Sequence, residues 1–409
     1  MINILGTNII SSLGFTTEEN FNAVKQGISG VKHYDAGNYN LPEAFMASLV
    51  DKEKLNVEFY SHCGLNPQSL VLDSDFRQND RYTDLEKSSI LSVFTANKEA
   101  QIDLTSAKTI FILSTTKGNV DLLAPPNLPT GEECSPLEGA YLWKTAKSIA
   151  DFFKNPNTPI VVSNACISGA AAQIAALREL ENGNYDYAVV LGVDFLSKFI
   201  ISGFQSFKAL SPELCRPFDK DRCGLNLGEA AATIIFSRFV ETGNVETGRA
   251  PSLLSGAIRN DSNHISAPSR TGEGSFRALK NILQNIDNKE IAFINAHGTA
   301  TPYNDAMEVN AVVRAGLENI PVNSLKGFFG HTLGAAGVLE SIISIRAMEE
   351  NTVLKSLNFE EQNFDNHINI SQENHFSDKR YFVKMLSGFG GVNAALLFYY
   401  PQITKMLKS

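Results

Sequence analysis

The stretch SNACISGAAA, residues 163–172, decides the fold of this chain. The β-branched run at residues 160–162 just before it predicts a buried strand, and the small residues after Cys166 predict a tightly packed helix. Cys166 therefore lies at a strand-to-helix junction, where unpaired backbone N–H groups and the helix dipole favour a thiolate. A buried cysteine with no chemical role is the alternative interpretation.

Outward from this stretch, short apolar runs alternate with longer segments of helical periodicity, which predicts an α/β fold with partly parallel sheets. Predicted strands cover residues 109–113, 160–162, 187–191 and 291–295, and predicted helices cover residues 167–180 and 335–348. Residues 161–172 and 322–337 share one pattern, a strand leading into a Gly- and Ala-rich helix, which suggests a duplicated unit. Irregular segments are expected at residues 35–84, a loop at 121–137 and a linker at 241–251.

Composition limits the possible functions. The 409 residues carry a formal net charge of −9, with 43% hydrophobic and 19% charged residues, which is typical of a globular protein and argues against a nucleic-acid binder. The five scattered cysteines do not form a disulfide framework and suit a reducing compartment. Since the chain also shows no signal-peptide pattern and no apolar run of membrane-spanning length, we expect a cytoplasmic protein without a membrane partner.

Three further motifs carry polar groups that suit a reactive site. In NAHGTATP, residues 295–302, His297 follows a predicted strand, and Pro302 suits the first turn of a helix. In SLKGFFGHTLGAAG, residues 324–337, His331 stands in a glycine-rich turn before another helix of small residues. The third motif, SGFGGVNA at residues 387–394, is a glycine-rich turn that could present a backbone N–H to an oxyanion. The alternatives are a core histidine, a helix-packing motif and a plain hairpin.

Together and in this order, the motifs resemble the β-ketoacyl carrier-protein synthases of the thiolase-like superfamily. The family patterns A-C-x-[ST]-G, H-G-T-x-T, K-x-x-x-G-H and G-F-G-G-x-N all have counterparts here, and RPFD at residues 216–219 adds another. The resemblance spans nearly the whole chain. It implies an α/β fold, a five-layered αβαβα sandwich of two similar halves, which we place at residues 1–245 and 246–409. It also implies a homodimer, or a heterodimer with a related subunit.

The resemblance also implies a chemical role for each motif. Cys166 would accept an acyl group from acyl carrier protein, and His297 and His331 would polarise a malonyl thioester and assist loss of its carboxylate. Lys326 would belong to a charge network, with Glu340 as its partner. The remaining implied roles are an oxyanion hole from the backbone N–H groups of Cys166 and Phe389, binding of the phosphopantetheine arm by Thr299 and Thr301, a gate of Phe389 and Phe204 at the acyl pocket, and a carrier-protein contact at Lys208.

The resemblance therefore implies an elongating β-ketoacyl-[acyl-carrier-protein] synthase, an acyltransferase of fatty-acid, polyketide or polyene synthesis that needs no cofactor and no metal. One alternative is a non-elongating subunit like a chain-length factor, although such subunits lack the reactive cysteine that Cys166 supplies. A thiolase would need a second cysteine near the C-terminus, and residues 388–393 contain none. Departures from the family pattern, such as Val392 and the rearranged segment at residues 115–144, leave the acyl specificity and the pathway open.

Overall fold

The computed structural model of the protein describes residues 1–62, 82–123, 138–239, 250–264 and 267–401. The strands are β1 (Ile2–Ser11), β2 (Lys32–Tyr34), β3 (Phe45–Ser48), β4 (Thr109–Ser114), β5 (Ile160–Val162), β6 (Tyr187–Asp194), β7 (Leu227–Gly228), β8 (Ala230–Ser237), β9 (Ser252–Asn260), β10 (Ile291–Asn295), β11 (Val322–Asn323), β12 (Thr352–Val353), β13 (His375–Phe376), β14 (Tyr381–Gly388) and β15 (Val392–Tyr399). The α-helices are α1 (Thr17–Gln26), α2 (Lys52–His62), α3 (Asp84–Ala100), α4 (Leu142–Phe152), α5 (Ser168–Glu181), α6 (Lys198–Ser206), α7 (Glu273–Ile282), α8 (Pro302–Arg314), α9 (Lys326–Phe329) and α10 (Ala336–Glu349).

A mixed sheet runs through the protein in the order β11-β10-β14-β15-β9-β1-β8-β6-β4-β5. Within the first half, β4 is parallel to β5 and β6, and β8 is antiparallel to β6 and β1. The second half repeats this pattern, since β10 is parallel to β11 and β14, and β15 is antiparallel to β14 and β9. An antiparallel pairing of β1 with β9 joins the halves. The repeated strand order confirms the duplication expected from the sequence.

The sheet folds around two central helices. Helix α5 packs on β4, β5 and β6 of the first half and on β9 and β15 of the second, while α10 packs on β6 and β8 and also on β14. Helices α3 and α4 cover the outer side of the first half, and α7 covers the second half with α8 against it. These contacts give the five layers that the resemblance implies. The expected boundary between residues 245 and 246 lies outside the described residues.

The central helices approach closely because both carry glycine where they cross. A Cβ atom added to Gly169 would lie 2.9 Å from the Cα of Gly337, and one added to Gly337 would lie 2.5 Å from the backbone nitrogen of Ala170. No side chain fits between the two backbones. This contact brings the N-terminal ends of α5 and α10 together, and with them the two motifs that precede these helices.

The sequence-based prediction for residues 35–84 was wrong in the part that the structure describes. Strand β3 and helix α2 lie there, and Leu55 and Phe59 of α2 pack in a core with Phe15. Few apolar side chains interrupt the charged sequence of α2, so its helical periodicity is weak. Most of the loop expected at residues 121–137 and of the linker expected at 241–251 lies outside the described residues. Within the described ranges, no helix is both long and apolar enough to cross a membrane.

Candidate active site

Cys166 stands in a tight turn between β5 and α5. Ala165, just before it, has a φ of 46°, a conformation that a residue with a Cβ atom rarely adopts. The Ser168 hydroxyl fixes this turn, since it accepts a hydrogen bond from the Asn164 N–H at 2.8 Å and donates one to the Ala165 carbonyl at 2.6 Å. The strained turn therefore holds the thiol at the start of the central helix.

His297 stands in the turn after β10, and two carboxylates of α8 hold this turn from behind. The His297 and Gly298 N–H groups each donate to Glu308 at 2.7 Å, and the Thr299 N–H donates to Asp305 at 3.0 Å. Burial raises the pKa of Asp305 to about 6 and that of Glu308 to about 7. Helix α8 begins at Pro302, as the sequence predicts. Sequence reasoning missed both carboxylates, although their spacing puts them on one face of the helix.

His331 stands in the turn before α10, and a backbone hydrogen bond fixes its tautomer. The Leu333 N–H donates to Nδ1 of His331 at 3.2 Å, so the proton of the neutral ring lies on Nε2. This buried Nε2 has no hydrogen-bond partner among the described residues. The Gly334 N–H donates to Asp194 at the end of β6 at 2.8 Å, which ties the turn to the first half. The ring therefore offers an N–H donor to a ligand.

The structure brings Cys166, His297 and His331 together. Their sulfur and ring nitrogens lie within 4.8 Å of one another, and the three side chains are buried. The imidazole rings meet edge to face. All three residues line one cavity of about 420 Å³. A thiol and two imidazoles are also a donor set that suits zinc, but the buried ammonium groups of Lys326 and Lys384 disfavour a further cation here.

Burial outweighs the groups that favour a thiolate at Cys166. It raises the pKa of the thiol to about 11, although the charge of Lys326 and the backbone N–H groups of Phe389 and Cys166 act in the opposite direction. The backbone N–H groups therefore favour the thiolate, as the sequence indicates, but burial has the larger effect and raises the pKa of the thiol. The two N–H groups lie beside the sulfur because Gly388 lets the β14–β15 hairpin approach. A Cβ atom at Gly388 would lie 3.2 Å from the Cys166 nitrogen.

A buried charge network lies behind the histidines. The Lys326 ammonium contacts the Glu340 carboxylate, as the resemblance implies, and the Lys384 ammonium lies 2.7 Å from the other Glu340 oxygen. Burial and, next, the charge of Lys326 lower the pKa of both histidines, which keeps their rings neutral. Sequence reasoning missed Lys384. The available signal was a lysine in the middle of the apolar run at residues 381–386.

Hydroxyl groups line one wall of the cavity. The Thr299 and Thr301 hydroxyl oxygens lie 2.9 Å apart, and both residues line the cavity. Thr301 occupies the N-cap position of α8, yet its side chain makes no capping hydrogen bond to the helix. Its hydroxyl is therefore available to a bound ligand.

Aromatic side chains form the mouth of the cavity. Phe204 stacks on Phe389 with ring centroids 5.9 Å apart, so the two predicted gate residues are in contact. Phe207, which sequence reasoning missed, contacts the same Phe389 ring edge to face at 5.7 Å. Lys208 follows on the exposed part of this wall. The predicted site residues therefore line the same cavity, except for Lys326 and Glu340, which lie behind it.

Comparison with known proteins places most of the chain within two family domains. The β-ketoacyl synthase N-terminal domain matches residues 82–241, and the β-ketoacyl synthase C-terminal domain matches residues 252–360. A 3-oxoacyl-[acyl-carrier-protein] synthase 2 of Vibrio harveyi is 25% identical over 421 residues, which cover 97% of each chain.

Solved structures share the fold over the whole length. A β-ketoacyl synthase from Burkholderia phymatum superposes with a TM-score of 0.83 at 24% identity, covering 98% of this chain and 99% of the other. A ketosynthase in complex with its chain length factor, from Xenorhabdus doucetiae, gives a TM-score of 0.80 at 23% identity and covers 98% of both chains. The two matched domains, which span well over half of the sequence, show that the chain belongs to the β-ketoacyl synthase family.

Proposed function

We propose that this chain is an elongating β-ketoacyl-[acyl-carrier-protein] synthase. It would join an acyl group on Cys166 to a malonyl group on carrier protein, with loss of CO₂. The observation that carries the proposal is the convergence of one thiol and two neutral imidazoles at a cavity lined by hydroxyl and aromatic groups. The name of the Vibrio harveyi relative, which matches over 97% of its length, supports the same activity.

The first step would transfer the acyl group to Cys166. The sulfur attacks the thioester carbonyl, its proton leaves, and the carrier-protein thiol departs as the new thioester forms. His297 suits the proton acceptor, because no hydrogen bond in the described part of the chain fixes its ring tautomer and its ring is neutral. The N–H groups of Cys166 and Phe389, which lie beside the sulfur, would bind the carbonyl oxygen as it gains charge.

The second step would form the carbon–carbon bond. His331 would donate its Nε2–H to the malonyl thioester oxygen, so that the C–CO₂⁻ bond breaks and the electron pair is held as an enolate. The enolate carbon then attacks the acyl-Cys166 carbonyl, and the sulfur leaves with the electron pair of its bond. A proton returns to the thiol, and the β-ketoacyl group remains on the carrier protein.

Thr299 and Thr301 would bind the phosphopantetheine arm, since both residues line the cavity and the Thr301 side chain is not used as a helix cap. This arm belongs to the carrier protein, so we propose no cofactor and no metal of the enzyme itself. Lys208 would attract the acidic carrier protein to the mouth. The alternative, a non-elongating subunit, has less support because the nucleophile and both histidines are present and assembled.

A second ketosynthase-type subunit, most simply another copy of this chain, would cover the edge of the sheet at β5. This strand is apolar yet only half-buried, and the described structure pairs it on one side alone, with β4. Trp143 of the adjoining α4 is 55% exposed. An open apolar edge of this kind favours association. The solved complex from Xenorhabdus doucetiae allows for a different partner, a chain length factor. Native mass spectrometry of the protein alone distinguishes a homodimer from a subunit that needs a different partner.

The test of the catalytic proposal uses the purified protein with a panel of acyl carrier-protein thioesters and intact-mass detection. The parent should gain the acyl mass and the Cys166→Ala variant should not. Malonyl carrier protein should then release the adduct as a β-ketoacyl product. If a folded parent gains no adduct from any donor, the protein is a non-elongating subunit and the proposal fails.

A further inference from the structure

Four oxygen atoms surround the buried ammonium group of Lys384. The Glu340 carboxylate lies at 2.7 Å and the carbonyl oxygens of Met385, Ala296 and Asn295 lie at 2.9, 3.3 and 3.4 Å. The Lys384 side chain is completely buried. The oxygens come from three elements, namely the end of β10, helix α10 and strand β14 itself.

These oxygens form a cage that requires a positive charge. Three carbonyl dipoles and a carboxylate that point at one spot repel each other unless a cation lies among them. Rings of carbonyl oxygens bind K⁺ in this way in ion-selective channels. The lysine ammonium group offers only three N–H donors, so the fourth oxygen is attracted mainly by its charge.

The cage lies directly behind the reactive groups. Asn295 and Ala296, which supply two of its oxygens, are the residues just before His297. Glu340, which supplies a third, is also the partner of Lys326. The charge of Lys384 also contributes to keeping the rings of His297 and His331 neutral. Moving the Lys384 ammonium would therefore change the position of His297 and the electrostatic environment of both histidines.

We propose that Lys384 is a positioning residue that acts as a tethered monovalent cation, holding the backbone turn that carries His297. This inference rests on the proposed function, because it assigns Lys384 to the same reaction. It goes further in assigning the cage a ligand chemistry: when the lysine side chain is cut back, the four oxygens become a site for a free K⁺ or NH₄⁺ ion.

The experiment compares Lys384→Ala, which vacates the cage, with Lys384→Met, which fills it with an uncharged chain of similar length. Both are measured in a buffer whose only cation is tetramethylammonium, which is too large to enter. Both variants should condense acyl and malonyl groups about 10- to 100-fold more slowly than the parent, since a small displacement of a catalytic group has effects of this size. Adding K⁺ or NH₄⁺ should restore the Ala variant along a saturating curve, and should leave the Met variant and the parent unchanged.

Thermal unfolding gives a readout that does not depend on activity. K⁺ should raise the melting temperature of Lys384→Ala, because an ion bound only by the folded state stabilises it. Lys147→Ala, which removes an exposed lysine of α4, is the matched control and should show no response to K⁺. If Lys384→Ala folds only poorly without small cations, recovery of the fold by K⁺ or NH₄⁺ gives the same support.

The outcomes separate this inference from the proposed function. A parent that neither forms an acyl-enzyme nor condenses overturns the function, while a K⁺-dependent melting temperature of Lys384→Ala would still support the cation cage. If the parent is active but Lys384→Ala gains neither rate nor stability from K⁺ or NH₄⁺, the cage is no cation site. Lys384 would then be a purely structural residue and the inference fails.

Discussion

His297 and His331 meet edge to face, with ring centroids 5.0 Å apart and ring planes at 83°. They come from two turns of the same repeat, one after β10 and one after β11. The rings are nearly perpendicular, and both line the cavity that Cys166 also lines. The arrangement allows one ring to donate a proton in a hydrogen bond while the other accepts one.

Replacing His331 should impair condensation but not acylation. His331→Ala removes the Nε2–H donor that the Leu333 hydrogen bond fixes in place. Loss of such a donor typically lowers kcat about 10²- to 10³-fold. The acyl adduct on Cys166 should still form, because the oxyanion N–H groups and His297 remain. Intact-mass detection of the adduct and a separate assay of the β-ketoacyl product measure the two steps. An equal loss in both steps would contradict the division of roles.

The alkylation rate of Cys166 by iodoacetamide should rise without a plateau between pH 7 and pH 10. Burial raises the pKa of this thiol to about 11, so its thiolate fraction grows about tenfold with each pH unit below that value. Lys326→Met should slow the reaction, since the lysine charge favours the thiolate. Peptide mapping must follow Cys166 alone in a Cys223→Ser background, because Cys223 is exposed. A plateau below pH 8 would show a thiolate stabilised by the helix instead.

Glu340→Gln should destabilise the fold at neutral pH and flatten its acid dependence. The two lysines hold the pKa of Glu340 below its usual value despite burial. The stabilisation is therefore complete above the unfolded-state pKa of about 4.3 and is lost as pH falls through the lower folded-state pKa. Removing one partner of a buried ion pair typically costs about 3–5 kcal/mol. Urea denaturation at pH 7 and at about pH 3, which is below the unfolded-state pKa, measures both effects, and Asp151→Asn, from an exposed pair on α4, should change neither.

Gly337→Ala should lower both stability and activity. The added Cβ atom would lie 2.5 Å from the Ala170 nitrogen and 2.8 Å from the Gly169 carbonyl carbon, so α5 and α10 must move apart. Overpacking of this kind costs about 1–3 kcal/mol. Gly203→Ala is the control, since α6 has open space around that position and alanine favours a helix by about 0.5–1 kcal/mol. We expect the urea midpoint to fall for Gly337→Ala and to rise or stay the same for Gly203→Ala. A Gly337→Ala variant of parent stability would disprove the close crossing.

The double variant Thr299→Val, Thr301→Val should raise KM for acyl carrier protein about 30-fold and leave kcat nearly unchanged. It removes two hydroxyls on the cavity wall, each of which would contribute about 1 kcal/mol to binding of the phosphopantetheine arm. A short thioester without the arm serves as the control substrate and should react equally with both proteins. A fall in kcat with the control substrate would show that the hydroxyls act on the chemistry itself.

Local sequence patterns were enough to predict the parts of the site that lie next to strand ends. Cys166 and His297 each follow a predicted strand, and Cys166, His297 and His331 each precede a predicted helix, and the structure has those elements within a residue or two of the predicted bounds. The short helix α9, which lies between β11 and His331, was not predicted. The strand-to-helix pattern repeated at residues 161–172 and 322–337 also predicted the duplication, which the sheet order confirms.

The remaining features depend on partners that are far away in the sequence. The residues next to Lys384 in the sequence do not show that its ammonium contacts Glu340 of α10. Those next to Asp194 do not show that its carboxylate binds the turn of His331. The raised pKa of Cys166 is not apparent from the local sequence for the same reason. The sequence shows the N–H groups of the turn, but the burial that outweighs them is a property of the whole fold.

The contact of Gly169 with Gly337 separates the parts of the enzyme that stay fixed from those that can vary. The nucleophile belongs to one repeat and both imidazoles to the other, and the repeats meet there through backbone atoms that have no rotamers to change. We therefore expect tolerance for acyl groups of different shapes to come from the aromatic mouth, where the Phe207 side chain is 61% exposed. Substrate range can thus evolve at the mouth without altering the distances on which the chemistry depends.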